Sequence, residues 1–223
     1  MKISRCFAGG VALLAFLTLT GCSASNPEAE GDPAFFFDRV AQLRASHVAI
    51  QGEPDDLAEA VADDVWADLV LEGTVVSVEP KHAVHYPDAD PGHPGDEEAG
   101  AQVVDFDDPR AHERVLDVTI DPEWSTGGGQ DVTLTLGASG DADPEQFLAS
   151  LRGLNHVVAV LGQRTGGRSA GEYYPLLNGA LLGRVDSQGR LHFDGLGEQE
   201  KEFVDGVDTV GELKETVEAS TQP

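Results

Sequence analysis

The stretch Asp68-Leu-Val-Leu-Glu-Gly-Thr-Val-Val-Ser-Val-Glu79 constrains the fold more than any other. It is rich in β-branched residues, which pack well on a pleated surface and lose side-chain freedom in a helix, so it predicts one long strand. Gly73 sits in its middle, where a strand glycine commonly marks a bulge or a sharp bend. Shorter strands follow. Arg114 to Ile120 and Asp131 to Leu136 alternate apolar and polar residues, a pattern that needs one buried face. His156 to Leu161 is continuously apolar and predicts a central strand. Ala180 to Val185 and Arg190 to Phe193 flank Asp186-Ser-Gln-Gly189, a hairpin turn with Gly where φ > 0 is wanted.

Helices punctuate the strands. Asp32-Pro33 is an N-cap followed by Pro at the first helical position, and Phe36, Val40, Leu43 and His47 continue at helical spacing. The cluster Phe35-Phe36-Phe37 on this helix is expected to pack on the domain core. A second short helix is expected over Pro54 to Asp64, with Leu57, Val61 and Val65 on one face. Asp143-Pro-Glu-Gln146 is a capping-box arrangement that opens a helix stopped by Gly153. Thr209-Val-Gly-Glu212 is another, and it opens a C-terminal helix carrying Leu213 and Val217.

The N-terminus carries a different kind of signal. Lys2 and Arg5 precede an apolar run from Phe7 to Leu19, too short for a spanning helix, which needs about 20 residues. The run ends in Leu19-Thr20-Gly21-Cys22, which resembles the lipobox of bacterial lipoproteins at all four positions. The resemblance implies cleavage before Cys22, a diacylglyceryl group on its sulfur, and further acylation (such as palmitate) of the new amino terminus. Two or three acyl chains anchor a protein stably, where one binds only marginally. The implied protein sits on the extracytoplasmic face of a cell membrane, held by lipid. The resemblance divides the chain into residues 1–21 as a signal peptide, 22–31 as a flexible tether, 32–66 as an N-terminal helical segment, and a body over 67–220.

Charge and cysteine usage narrow the classes further. Removing the signal segment takes away Lys2 and Arg5, leaving 12 of the 14 basic residues against 40 acidic ones, a charge of −28. Such a surface lacks the Lys and Arg clusters that displace counterions from nucleic acid, so nucleic acid is excluded as a partner. It also repels anionic headgroups, which leaves the acyl chains on Cys22 to hold the protein to the bilayer. The acidity itself fits a solvated surface, a high-salt origin, or an acidic face selecting a cation or a basic partner. The cysteines are Cys6 and Cys22 alone. Cleavage removes the first and lipid blocks the second, so the body is expected to hold itself together by core packing, without a disulfide, thiol catalysis or a Cys-ligated zinc.

In order, the body reads as helix, helix, long bent strand, loop, strand, strand, helix, strand, hairpin, helix. An OB-fold also places a helix between its third and fourth strands and coils a long first strand about a Gly or bulge. The pattern over 67–220 is therefore similar to an OB-like small β-barrel, and the expected class is α+β with about five to six strands, N-terminal helices, one inserted helix and a C-terminal helix. The chain also resembles a loose class of secreted bacterial proteins of unassigned role. They share a first strand of Leu-x-Gly-x-Val-x-x-Val (here Leu71, Gly73, Val75 and Val78) and a late Gly-x-Leu hairpin (here Gly189 to Leu191). A fold of this kind hosts many functions and implies none by itself.

Two stretches carry candidate chemistry. Lys81 to Glu98 holds His82, His85 and His93 with Asp88 and Asp90, and imidazole with carboxylate suits Zn²⁺ or another divalent ion. Its many Pro and Gly residues predict a disordered acidic loop at about 80–112, poorly pre-organised for a metal. Gly162-Gln-Arg-Thr-Gly-Gly-Arg168 is the one basic patch, and with Tyr173 and Tyr174 it makes a loop bearing Arg and aromatic side chains, a place where OB-folds commonly bind ligands. Arg164, Arg168, Tyr173 and Tyr174 are the candidate ligand-binding residues. Gly127-Gly-Gly129 lacks the Lys-Ser/Thr of a phosphate loop and reads as a turn. No Gly-x-Ser-x-Gly elbow occurs, and no carboxylate pair stands out as general acid and base. The expected protein is thus a non-catalytic binding or interaction module for an extracytoplasmic protein or small ligand. A divalent-cation binder using the His/Asp loop is the alternative, that cation being the only cofactor expected, and a hydrolase is the least supported class.

Overall fold

A computed structural model describes residues 31–46, 54–62, 66–87, 100–164, 170–198 and 200–220. The expected signal segment, Cys22 and the expected tether lie outside them. The described chain is α+β: one mixed sheet of eight strands with four α-helices packed on it.

Helix α1 spans Ala34–Ser46 and α2 spans Leu57–Ala62. Asp32 caps the first, its Oδ1 accepting the Ala34 N–H at 3.0 Å. Phe36 and Phe37 are buried in the core, Phe36 also meeting Phe147 with ring centroids 5.7 Å apart. Phe35 is half-buried beneath the Arg39 guanidinium. The Phe cluster thus packs inward, as its helical spacing implies.

Strand β1 spans Leu69–His85 and is longer than the sequence pattern suggests. Pro80 cannot donate to a ladder. It is accommodated at an irregularity between Pro80 and His82, where the pairing skips a residue. Residues 80–85, expected in a loop, are therefore strand. The region expected to be loop also contains β2, Gln102–Val104, paired antiparallel to Ala83–His85. Strand β3, Glu113–Ser125, likewise runs past Asp121-Pro122, because Pro122 lies at the bulge opposite Gly73.

Strand β4, Val132–Ser139, pairs with β3 after the glycine turn. Helix α3, Pro144–Arg152, follows, capped by Asp143, whose Oδ1 accepts the Gln146 N–H at 2.8 Å. Strand β5, His156–Gln163, is buried from Val157 to Gly162, as its apolar run requires. Strand β6 is the short Tyr173–Pro175. The hairpin of β7, Leu182–Val185, and β8, Leu191–His192, turns through Gly189 at φ +75°. Helix α4, Val210–Ser220, opens on a reciprocal cap: the Glu212 N–H donates to Thr209 Oγ1 at 3.2 Å, and the Thr209 hydroxyl donates to Glu212 Oε2 at 2.9 Å.

The sheet order is β2-β1-β3-β4-β6-β5-β7-β8, with β1 also paired to β5. The pairings therefore run in a circuit, β1–β3–β4–β6–β5–β1. The β4–β6 link is a single parallel pairing, Leu134 opposite Tyr173. Eight strands stand where five to six were expected. The extra ones, β2 and β6, are three residues each and too short to show periodicity. The strands of the circuit contribute Leu71, Leu116, Ile120, Leu134, Val158 and Leu161 to the core, all fully buried.

Candidate functional site

The candidate residues fall into three places. The first is the loop between β5 and β6. Arg164 is exposed at its start, and its guanidinium lies 5.5 Å over the Tyr174 ring. The loop base is closed by backbone hydrogen bonds, Arg164 N–H to Glu172 O at 3.0 Å and Gly171 N–H to Arg164 O at 2.8 Å. Tyr173 and Tyr174 are half-buried on β6. Arg168 lies outside the described residues.

A charged network ties this loop to the sheet. The Lys81 ammonium on β1 reaches Asp117 Oδ1 on β3 at 3.1 Å and Glu172 Oε1 at 2.8 Å. The Thr135 hydroxyl on β4 lies 3.0 Å from the same Asp117 oxygen and 3.2 Å from Glu172 Oε2. Burial pulls the Lys81 pKa down. Its hydrogen bonds to Glu172 and Asp117 and their two charges outweigh that, so it is held above the ordinary 10.5.

The second place is the far end of β1. His82 and His85 are three residues apart on a strand, so they project from opposite faces and do not converge on one ion. His82 lines an open groove of about 490 Å³ together with Lys81, Val103, Asp105, Asp108 and Arg110. His85 instead stacks on His112, ring centroids 5.0 Å apart, with the two Nδ1 atoms at 3.2 Å. The Tyr86 N–H donates to His112 Nδ1, so that nitrogen is the acceptor and His85 Nδ1 carries the shared hydrogen. His93, Asp88 and Asp90 lie outside the described residues. The turn beside the groove is held by Arg110, which keeps the Asp108 carboxyl down at about 2 through side-chain and backbone hydrogen bonds.

Arg114 holds the same region from inside. It is 3% exposed, yet its guanidinium donates to backbone carbonyls: Phe106 at 2.9 Å, Asp108 at 3.3 Å, Ala142 at 3.3 Å, and Gly140. It fixes the β2–β3 connection against the end of β4. Its inward position is readable from the sequence, since Arg114 shares its face with Leu116, Val118 and Ile120.

The third place was not singled out from the sequence. At the near end of β1, Glu72, Glu123 and His156 bring one ligand-type atom each to within 4.8 Å of the others. They are the one such His/Cys/Asp/Glu group among the described residues. The pairing explains why they meet. Glu72 lies opposite Trp124, and Gly73 lies opposite Pro122, so Glu123 is the extra residue of a bulge in β3. His156 opens β5 opposite Thr74. The bulge needs Gly73, where a Cβ would overlap the Asp121 carbonyl oxygen and come within 2.8 Å of Ile120 and Pro122. Lys214 of α4 donates to Glu72 Oε2 at 2.7 Å and sits 5.3 Å over the Trp124 ring. The one local signal was Glu72 itself, a carboxylate inside the apolar run from Leu69. Its partners lie too far along the chain for spacing to reveal.

Comparison with known proteins finds no matching family model, no matching curated protein and no matching solved structure.

Proposed function

We propose that this protein is a lipid-anchored, extracytoplasmic binding module without catalytic activity of its own, its body an OB-like small barrel tethered through Cys22. The location rests on Leu19-Thr20-Gly21-Cys22 and the charged and apolar segments before it. The circuit of five strands, the long bulged first strand, and α3 between the third and fourth strands of that circuit support the OB-like reading.

The observation that carries the binding role is the Arg164–Tyr174 pair on the β5–β6 loop. In a chain with a formal charge of −26, an exposed guanidinium on an aromatic face is an unusual surface. The Lys81–Glu172–Asp117–Thr135 network and the closed loop base hold its end of the loop to the sheet, so less ordering remains to be done on binding. Guanidinium and phenol together suit an anionic or aromatic group of a protein or small ligand.

Crosslinking and pull-down from intact cells test this. The wild-type protein is expected to capture an extracytoplasmic partner that the Arg164→Ala/Arg168→Ala variant loses. Equal capture by both removes the loop from the interface. Membrane fractionation of Cys22→Ser tests the anchor, because unchanged membrane association overturns the lipoprotein reading.

A further inference from the structure

We propose that Glu72, Glu123 and His156 form a binding site for one divalent transition-metal ion, Zn²⁺ being the best match, at the bulge where β1, β3 and β5 meet. The site is separate from the β5–β6 loop and does not depend on a binding role for that loop.

The ligand separations fit an ion. Zn²⁺ bonds of about 2.0–2.2 Å in a tetrahedron put neighbouring ligand atoms about 3.3–3.6 Å apart. His156 Nε2 lies 3.2 Å from Glu72 Oε1 and 3.8 Å from Glu123 Oε1, which bracket that separation.

The imidazole nitrogen supplies an independent observation. His156 Nε2 is buried and makes no hydrogen bond, although Glu72 Oε1 is only 3.2 Å away, because the direction is wrong for one. A buried nitrogen left without a partner is costly. If it is neutral with its lone pair turned to two carboxylates, it is also repelled by them. A cation bonded to all three atoms removes both penalties.

The surroundings orient the ligands. Lys214 holds Glu72 Oε2 and leaves Oε1 toward His156, while the Thr74 hydroxyl donates to Glu123 Oε1 at 3.4 Å. Glu72 is 8% exposed and fixed between two neighbouring strands. One imidazole and two carboxylates suit Zn²⁺, with a fourth position open to water, whereas Ca²⁺ takes six to eight oxygens.

Isothermal titration of the chelator-treated full chain carrying His82→Ala, His85→Ala and His93→Ala provides the test, since these changes remove the competing imidazoles of the 80–98 stretch. One Zn²⁺ per chain is expected. Glu123→Gln changes an exposed side chain, so its fold is retained, and it is expected to weaken Zn²⁺ at least about ten-fold, as is His156→Asn. X-ray absorption of the loaded parent is expected to show one imidazole nitrogen among oxygen ligands, which keeps the test valid if His156→Asn fails to fold. Absence of Zn²⁺ binding overturns the site. Zn²⁺ affinity untouched by Glu123→Gln, or a Ca²⁺ response equal to that of Zn²⁺, also overturns it.

Discussion

The two ends of β1 differ in burial while having similar hydrogen bonding. Leu69 to Thr74 pairs with β5, and from Leu71 also with β3. Ala83 and Val84 likewise have strands on both sides, β2 and β3. Yet residues 69–73 are all buried, whereas of residues 79–85 only Ala83 is. Backbone pairing therefore does not distinguish a core segment from a surface ribbon. What differs is the apolar area each side chain removes from water, worth about 25 cal/mol per Å². The two ends hold their polar groups differently as a result. At the near end Glu72, His156 and Lys214 are packed together at a bulge. At the far end Lys81, His85 and Asp108 lie in reach of water, and the anchor is the buried Arg114.

The largest effect is expected from Gly73→Val. Its side chain would collide with the β3 backbone at Asp121 and Pro122, removing about 3 kcal/mol or more of stability. Urea denaturation checks this, and a variant within about 0.5 kcal/mol of wild type would show that the near end tolerates loss of its bulge.

Arg114→Met tests the far end. It leaves four buried or half-buried carbonyls short of a donor and is expected to cost about 2 kcal/mol. Hydrogen exchange should rise in residues 105–112 and not in Leu69 to Thr74. Uniform exchange across β1 would mean that its two ends unfold as one unit.

Lys81→Met breaks partly exposed ion pairs and is expected to cost about 0.5–1 kcal/mol at neutral pH. Because the folded pKa of Lys81 is raised, its stabilisation is complete below 10.5 and is lost as pH rises through the folded value. The gap between wild type and variant should therefore close at strongly alkaline pH. A gap that persists there assigns the loss to packing of the lysine stem.

Asp108→Asn is expected to have the smallest effect. The folded carboxyl titrates at about 2 instead of 3.8, so its stabilisation is present above 3.8 and disappears as pH falls through about 2. Thermal melts of wild type and variant should converge in acid. Melts that stay parallel would show that the Arg110–Asp108 pair contributes nothing measurable.

Local signals in the sequence were reliable where one segment sufficed. Asp143 and Thr209 cap their helices through side-chain contacts that the capping pattern predicts, and Gly189 takes the positive φ its turn needs. The buried β5 followed from its unbroken apolar run. Proline normally ends a central strand, and only the pairing shows that Pro80 and Pro122 each lie beside a bulge in their own strand that lets the ladder step past them. Strand β6 carried no signal of its own. Tyr173 and Tyr174 were singled out beside Arg164, and only the fold places the guanidinium over Tyr174.

By itself the sequence determined the acidic charge, and the helices and strands whose periodicity and caps are local. The tertiary structure alone decided which polar residues meet. Glu72 and Lys214 lie 142 positions apart, and His156 reaches both glutamates only because β5 pairs with β1 while a bulge turns Glu123 toward them. Periodicity records which way a side chain faces along one element. The partner it meets there is set by the register between elements, which depends on packing of the whole core.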